Sequence, residues 1–76
     1  MIATPDLYAH EQEWYKLHPD TQVGEVYRIL DEMDDVLPEL DHKRECAIAI
    51  ANRYIGGEAE EFVDFFARRG VINLTA

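Results

Sequence analysis

Cysteine occurs once in this 76-residue chain, bases number only seven, and no apolar run approaches the ~20 residues that a bilayer-spanning helix needs. A single cysteine cannot close an internal disulfide, and small secreted domains usually carry several, so an intracellular protein is expected. Seven bases against sixteen acids leave a formal charge of −9. A surface for phosphate backbones would then have to be a local exception, and direct nucleic-acid binding is not expected. The start Met1-Ile2-Ala3-Thr4-Pro5-Asp6 lacks the basic residues of a secretory signal, which adds to the expectation of a soluble, cytoplasmic protein with no membrane partner. Nor does any segment of four or more residues alternate as a half-buried strand should. The length allows one small domain and excludes Rossmann, TIM-barrel and kinase folds.

What the chain does contain is helical spacing. Thr4-Pro5-Asp6 offers a capping hydroxyl, a proline suited to the first helical position and an acid for the dipole, so a first helix is predicted over 5–17. Its core face would carry Leu7, His10, Trp14 and Leu17, with Tyr8 and Tyr15 at the edge. A second helix is predicted from Asp20 or Thr21 to Leu37, with Val23, Val26, Tyr27, Leu30, Met33 and Leu37 in one stripe, widened by Ile29 and Val36. Gly24 inside it would either permit a close approach or weaken the first turn. Pro38 is expected to open a third helix running to Ile55, in which Cys46-Ala47-Ile48-Ala49-Ile50-Ala51 is apolar on every side and so suits a central position. Gly56-Gly57 would separate it from a fourth helix over 58–69 bearing Phe62, Val63, Phe65 and Phe66, ended by Gly70. Val71 to Leu74 would pack back on the bundle or pair with another chain. The expected fold is all-α, a compact bundle of about four short helices with a short C-terminal tail, residues 1–76 forming a single helical domain without repeats.

Chemistry-bearing motifs are sparse. Glu39-Leu40-Asp41-His42 has the Glu-x-x-His spacing of carboxylate-bridged di-iron bundles, but those sites need two copies and further glutamates. His10 and His18 are eight residues apart, about 12 Å along a helix, too far to share a metal. His10 fits a boundary position and His18 a helix C-terminus, where an imidazolium is favoured. Cys46 precedes an apolar run, and a buried thiol is a poor nucleophile. Asp34-Asp35 could serve acid–base chemistry only in a desolvating cleft. Ile48 to Phe66 superficially suits a helix-turn-helix, yet its second helix would turn Glu58, Glu60, Glu61 and Asp64 toward phosphates. No catalytic residue, metal or cofactor is expected, and the protein is read as non-enzymatic.

The most distinctive feature is Asp31, Glu32, Asp34, Asp35, Glu39 and Asp41: six acids in eleven residues without a base. Like charges three or four apart cost a helix a few tenths of a kcal/mol each, about 5 to 6 Å separating neighbours. Such a row approaches the charge density of one nucleic-acid strand, and a basic groove would be attracted to it. The plain alternative is a solvated face that keeps a small protein in solution. Glu58, Glu60, Glu61 and Asp64 form a second expected cluster, and Tyr8 and Tyr15 are the expected aromatic anchors of a partner-binding surface.

In size, acidity and absence of catalytic motifs, the chain resembles the small phage-encoded antagonists of bacterial defence, the anti-CRISPR and antirestriction proteins. That resemblance implies an inhibitor, in places a DNA mimic, that occupies the nucleic-acid-contacting surface of a basic protein or ribonucleoprotein complex inside a bacterial host cell. It covers no motif, so no functional residue is carried over. The alternative is a homo-oligomeric regulatory or assembly module, antitoxin-like, in which Phe65, Phe66 and the tail bury surface between copies, as in a homodimer.

Overall fold

A computed structural model describes residues 5–74 and is all-α, with no strand among the described residues. The helices are α1 (Pro5–Leu17), α2 (Glu25–Val36), α3 (Lys43–Ile55) and α4 (Ala59–Arg68). Two 3₁₀ turns, Leu37–Glu39 and Gly56–Glu58, abut α2 and bridge α3 to α4. The four separately capped helices expected are therefore three unbroken helical stretches, the last bent at Gly56. There φ is +59°, a left-handed backbone that glycine adopts without a Cβ penalty.

α1 begins at Pro5; the expected Thr4 cap lies outside the described residues. Its inner face is the predicted one at Leu7 and Trp14 but not at His10 and Leu17. Leu7, Glu11 and Trp14 are buried, and His18 just beyond continues the line at i, i+4, i+7, i+11, while Leu17 is 59% exposed. The stripe therefore turns one position away from His10 and Leu17 and takes a carboxylate inside.

α2 starts at Glu25, not at Asp20 or Thr21, because Gly24 takes φ +92° and breaks the helical path before it. No atom lies within 4 Å of where its Cβ would stand, so backbone conformation and not close approach accounts for this glycine. Thr21 is consumed elsewhere: its buried Oγ1 accepts the Trp14 Nε1–H at 3.1 Å. Val23, expected in the stripe, is 94% exposed in the preceding turn, and Val36 is also exposed at the helix end. Val26, Ile29, Leu30, Met33 and Leu37 are buried as the spacing predicts.

Pro38 does not open α3. It lies in the 3₁₀ turn, after which Leu40 is extended (φ −106°, ψ 146°) and His42 is left-handed (φ 53°), so the helix begins at Lys43. Glu39 and His42 consequently do not share a helical face. α3 packs most extensively on α4 and then on α2, with Ala47, Ile50 and Ala51 buried. Small side chains permit such close pairing. Ala49 is exposed and Cys46 and Ile48 are only half-buried, so this helix is not surrounded on all sides.

The core is aromatic. Trp14 meets Phe62 edge-on at 5.1 Å and Phe65 at 5.4 Å between centroids, and Phe62 and Phe66 lie 4.6 Å apart. Each such pair adds about 0.5–1.5 kcal/mol to the area it buries. After α4 the chain turns back, Val71 N–H donating to the Phe66 carbonyl at 2.9 Å, and Ile72 is buried in the same core. Phe65, Phe66 and Ile72 are thus interior residues of one chain, which removes most of the apolar surface expected between copies. The tail packs inward.

Candidate functional site

Most of the acids singled out by sequence are placed by α2 and α4, and the two clusters meet different fates. Glu58 and Glu61 receive His18: Nδ1 lies 3.0 Å from Glu58 Oε2, and Nε2 lies 3.2 Å from Glu61 Oε1 but off the line of a good hydrogen bond. The same imidazole stacks on Trp14 at 3.9 Å. Asp64 pairs with Arg44 at 3.1 Å and Glu60 approaches the same guanidinium at 3.9 Å. The second cluster is therefore spent on holding α1 and α3 against α4.

The first cluster is different. Glu32 turns toward α3, where it pairs with Arg53 and accepts the Tyr54 hydroxyl at 2.7 Å. Asp31, Asp34 and Asp35 are exposed along α2, and Glu39 and Asp41 are exposed in the segment that follows. Among the described residues no ion pair engages Asp35, Glu39 or Asp41. The last turn of α2 contains no base. Val36 and Leu40, 39% and 37% exposed, are interleaved with these carboxylates.

The two expected tyrosine anchors also divide. Tyr8 is 65% exposed and available. Tyr15 is not, because it is half-buried, donates to Glu11 Oε2 at 3.3 Å and accepts the Gly24 N–H at 3.0 Å. Burial and the Glu11 charge hold its phenol above the ordinary tyrosine range, against the lowering effect of the Gly24 N–H. Tyr27 is raised as well, by burial first and then by Glu11. Glu11 is thus a buried carboxylate surrounded by phenols, which amphipathic spacing did not anticipate. The signal lay in the i, i+4, i+7, i+11 series Leu7, Glu11, Trp14, His18.

Two concavities adjoin these features. A groove of about 630 Å³ runs between α2 and the C-terminal segment, with Leu30, Met33, Leu37, Val71, Ile72 and Leu74 in its lining and Asp34 and Lys43 at its polar edge. A polar recess of about 360 Å³ lies near Asp20, Glu25, Tyr54 and Glu58. Two of its carboxylates, Glu25 and Glu58, already have partners in Arg28 and His18. Cys46 is half-buried, its thiol directed at the Asp41 carbonyl at 3.8 Å. No group of three or more metal-ligating side chains occurs among the described residues, and no helix among them is long and apolar enough to cross a membrane. No protein-family model, curated protein or solved structure matches this chain.

Proposed function

We propose that this protein is a non-enzymatic, acidic binding protein that inhibits a nucleic-acid-binding protein or ribonucleoprotein complex by occupying its basic surface. The contact is made by the C-terminal half of α2 and the segment after it: Asp31, Asp34, Asp35, Glu39 and Asp41, with Val36 and Leu40 between them. One observation carries this reading. An exposed, base-free acidic turn stands at the C-terminal end of a helix, where the macrodipole already places about half a negative charge and where cations, not anions, are stabilising. Asp35, at that end, works against the helix dipole, whereas a cationic surface laid against the turn relieves both the dipole and the mutual repulsion of the acids. Steering of this kind speeds encounter at low ionic strength and fades as salt screens it.

The test is capture from a nuclease-treated bacterial lysate on the immobilised protein, compared with a variant carrying Asp35→Lys, Glu39→Lys and Asp41→Lys. A nucleic-acid-binding protein should be retained by the wild type, displaced by added duplex DNA or RNA, and lost from the variant. Identical capture by both proteins, or retention indifferent to nucleic acid, overturns the proposal.

A further inference from the structure

His18 is a titratable group that acidic docking leaves unused, and its surroundings are unusual for a residue of a connecting segment. The side chain is 12% exposed and lies nearly flat on the Trp14 indole, 3.9 Å between centroids with 25° between the planes. A carboxylate faces each ring nitrogen: Glu58, in the 3₁₀ turn before α4, stands 3.0 Å from Nδ1, and Glu61 of α4 stands 3.2 Å from Nε2. Nε2 is buried without a well-aligned hydrogen bond.

Protonation decides what this arrangement contributes. A neutral imidazole carries one N–H, so it donates to one glutamate and turns a lone pair toward the other. The imidazolium has two N–H groups and a positive charge, is attracted to both carboxylates, and gains further from the indole face and from its place just past the C-terminus of α1. Among the described residues no lysine or arginine pairs with Glu58 or Glu61. The other charged and titratable neighbours do not replace it. Asp20 follows two residues later, and Glu25 of α2 and Tyr54 of α3 line the recess beside Glu58, the first paired with Arg28 and the second donating to Glu32.

The consequence falls on α1. That helix makes few close backbone approaches to the others, while α3 lies extensively against α4. Its other ties to α4 include Trp14 against Phe62 and Phe65, and Glu13 bonded to Arg69, none of which changes charge between pH 5 and 8. Elements with few contacts open at a lower free energy than the body of a fold. We infer that His18 is a proton-operated latch for α1. As the imidazolium it clamps the end of the helix to Glu58 and Glu61; as pH rises through the interval in which histidine loses its proton, one of the two clamps is lost and α1 opens more often than the other helices. The latch is independent of acidic docking, whose carboxylates lie on α2 and the segment after it.

Amide hydrogen exchange of the full chain, read by NMR and corrected for the intrinsic rate at each pH, tests this. Protection in α1, at Trp14 and Tyr15, is expressed as a ratio to protection in α3, at Ile50 and Ala51, at pH 5.5 and 7.5. The wild-type ratio should fall about three- to fivefold over that interval, the size of one partly exposed ion pair. His18→Gln should abolish the fall, and Glu61→Gln, a change at a side chain 60% exposed, should reduce it. Should His18→Gln fail to fold, Glu61→Gln decides alone. A wild-type ratio constant with pH, whether both helices hold or both weaken, overturns the latch. A fall undiminished in either variant also overturns it, assigning the proton to His10 or His42, or the contact to Glu58 alone.

Discussion

Glu11 shows how one residue can be legible in type and illegible in place. A glutamate in the middle of an amphipathic helix reads as solvent-facing, yet this one is 5% exposed and is satisfied by phenolic hydroxyls. Two or three hydrogen bonds are the condition for burying such a group, and the donors come from a different turn and a different helix. Tyr15 links these parts, and its replacement is informative. Tyr15→Phe removes the donor to Glu11 and the acceptor of the Gly24 N–H, and is expected to cost about 1–3 kcal/mol in urea unfolding at pH 8. The pH dependence has a definite sign. Both phenols are raised in the folded state, so the stability they contribute is fully present below the unfolded value near 10 and is lost as pH rises through the folded one. Unfolding measured at pH 8 and pH 10.5 should show wild-type stability falling over that interval, and falling less in Tyr15→Phe. A wild type equally stable at both values would contradict the buried hydroxyl arrangement.

At the scale of the element, α2 is the helix whose sequence and position pull in opposite directions. Val26, Ile29, Leu30, Met33 and Leu37 fix its inner face, and that much follows from 3.6-residue spacing. Its start does not, because Thr21 and Asp20 are good capping residues and only the left-handed Gly24 shows that the chain turns first. Its end is acidic against the dipole. Asp35→Lys should therefore stabilise the isolated protein by about 0.3–1 kcal/mol, read as a raised midpoint in thermal or urea unfolding. The same change is expected to weaken capture of a basic partner. A gain in stability coupled to a loss of binding is the signature of a residue kept for contact. A loss of both would show that Asp35 serves the fold instead. The α4 acids carry no such expectation, because His18 and Arg44 already hold them.

For the whole molecule, size and charge set the margins. A domain of 76 residues is held by only a few kcal/mol, so the cluster of Trp14, Phe62, Phe65 and Phe66 dominates its stability. α1 makes few close backbone approaches to the other helices and is docked through side chains: the Trp14 indole, His18 between two glutamates, and Arg69, which bonds Glu13 at 2.9 Å while lying over the Phe65 ring. A charge of −9 on so small a body opposes compaction. Raising sodium chloride from 20 to 300 mM should shorten the screening length from roughly 20 Å to about 6 Å and raise the unfolding midpoint. A midpoint that falls with salt would mean that the ion pairs to Arg44, Arg53 and Arg69 outweigh the general repulsion.

Composition and spacing alone determined the helical class, the apolar face of α2, the aromatic content of α4 and the excess of negative charge, because each of these depends on residue type and on periodicity within one element. Which acids remain outward was decided only by tertiary structure. Arg44, Arg53 and His18 are distant in the chain from the carboxylates they meet, and no local pattern records that pairing. The groove has the same origin, since half of it is the tail folding back over α2, a contact between segments some forty residues apart.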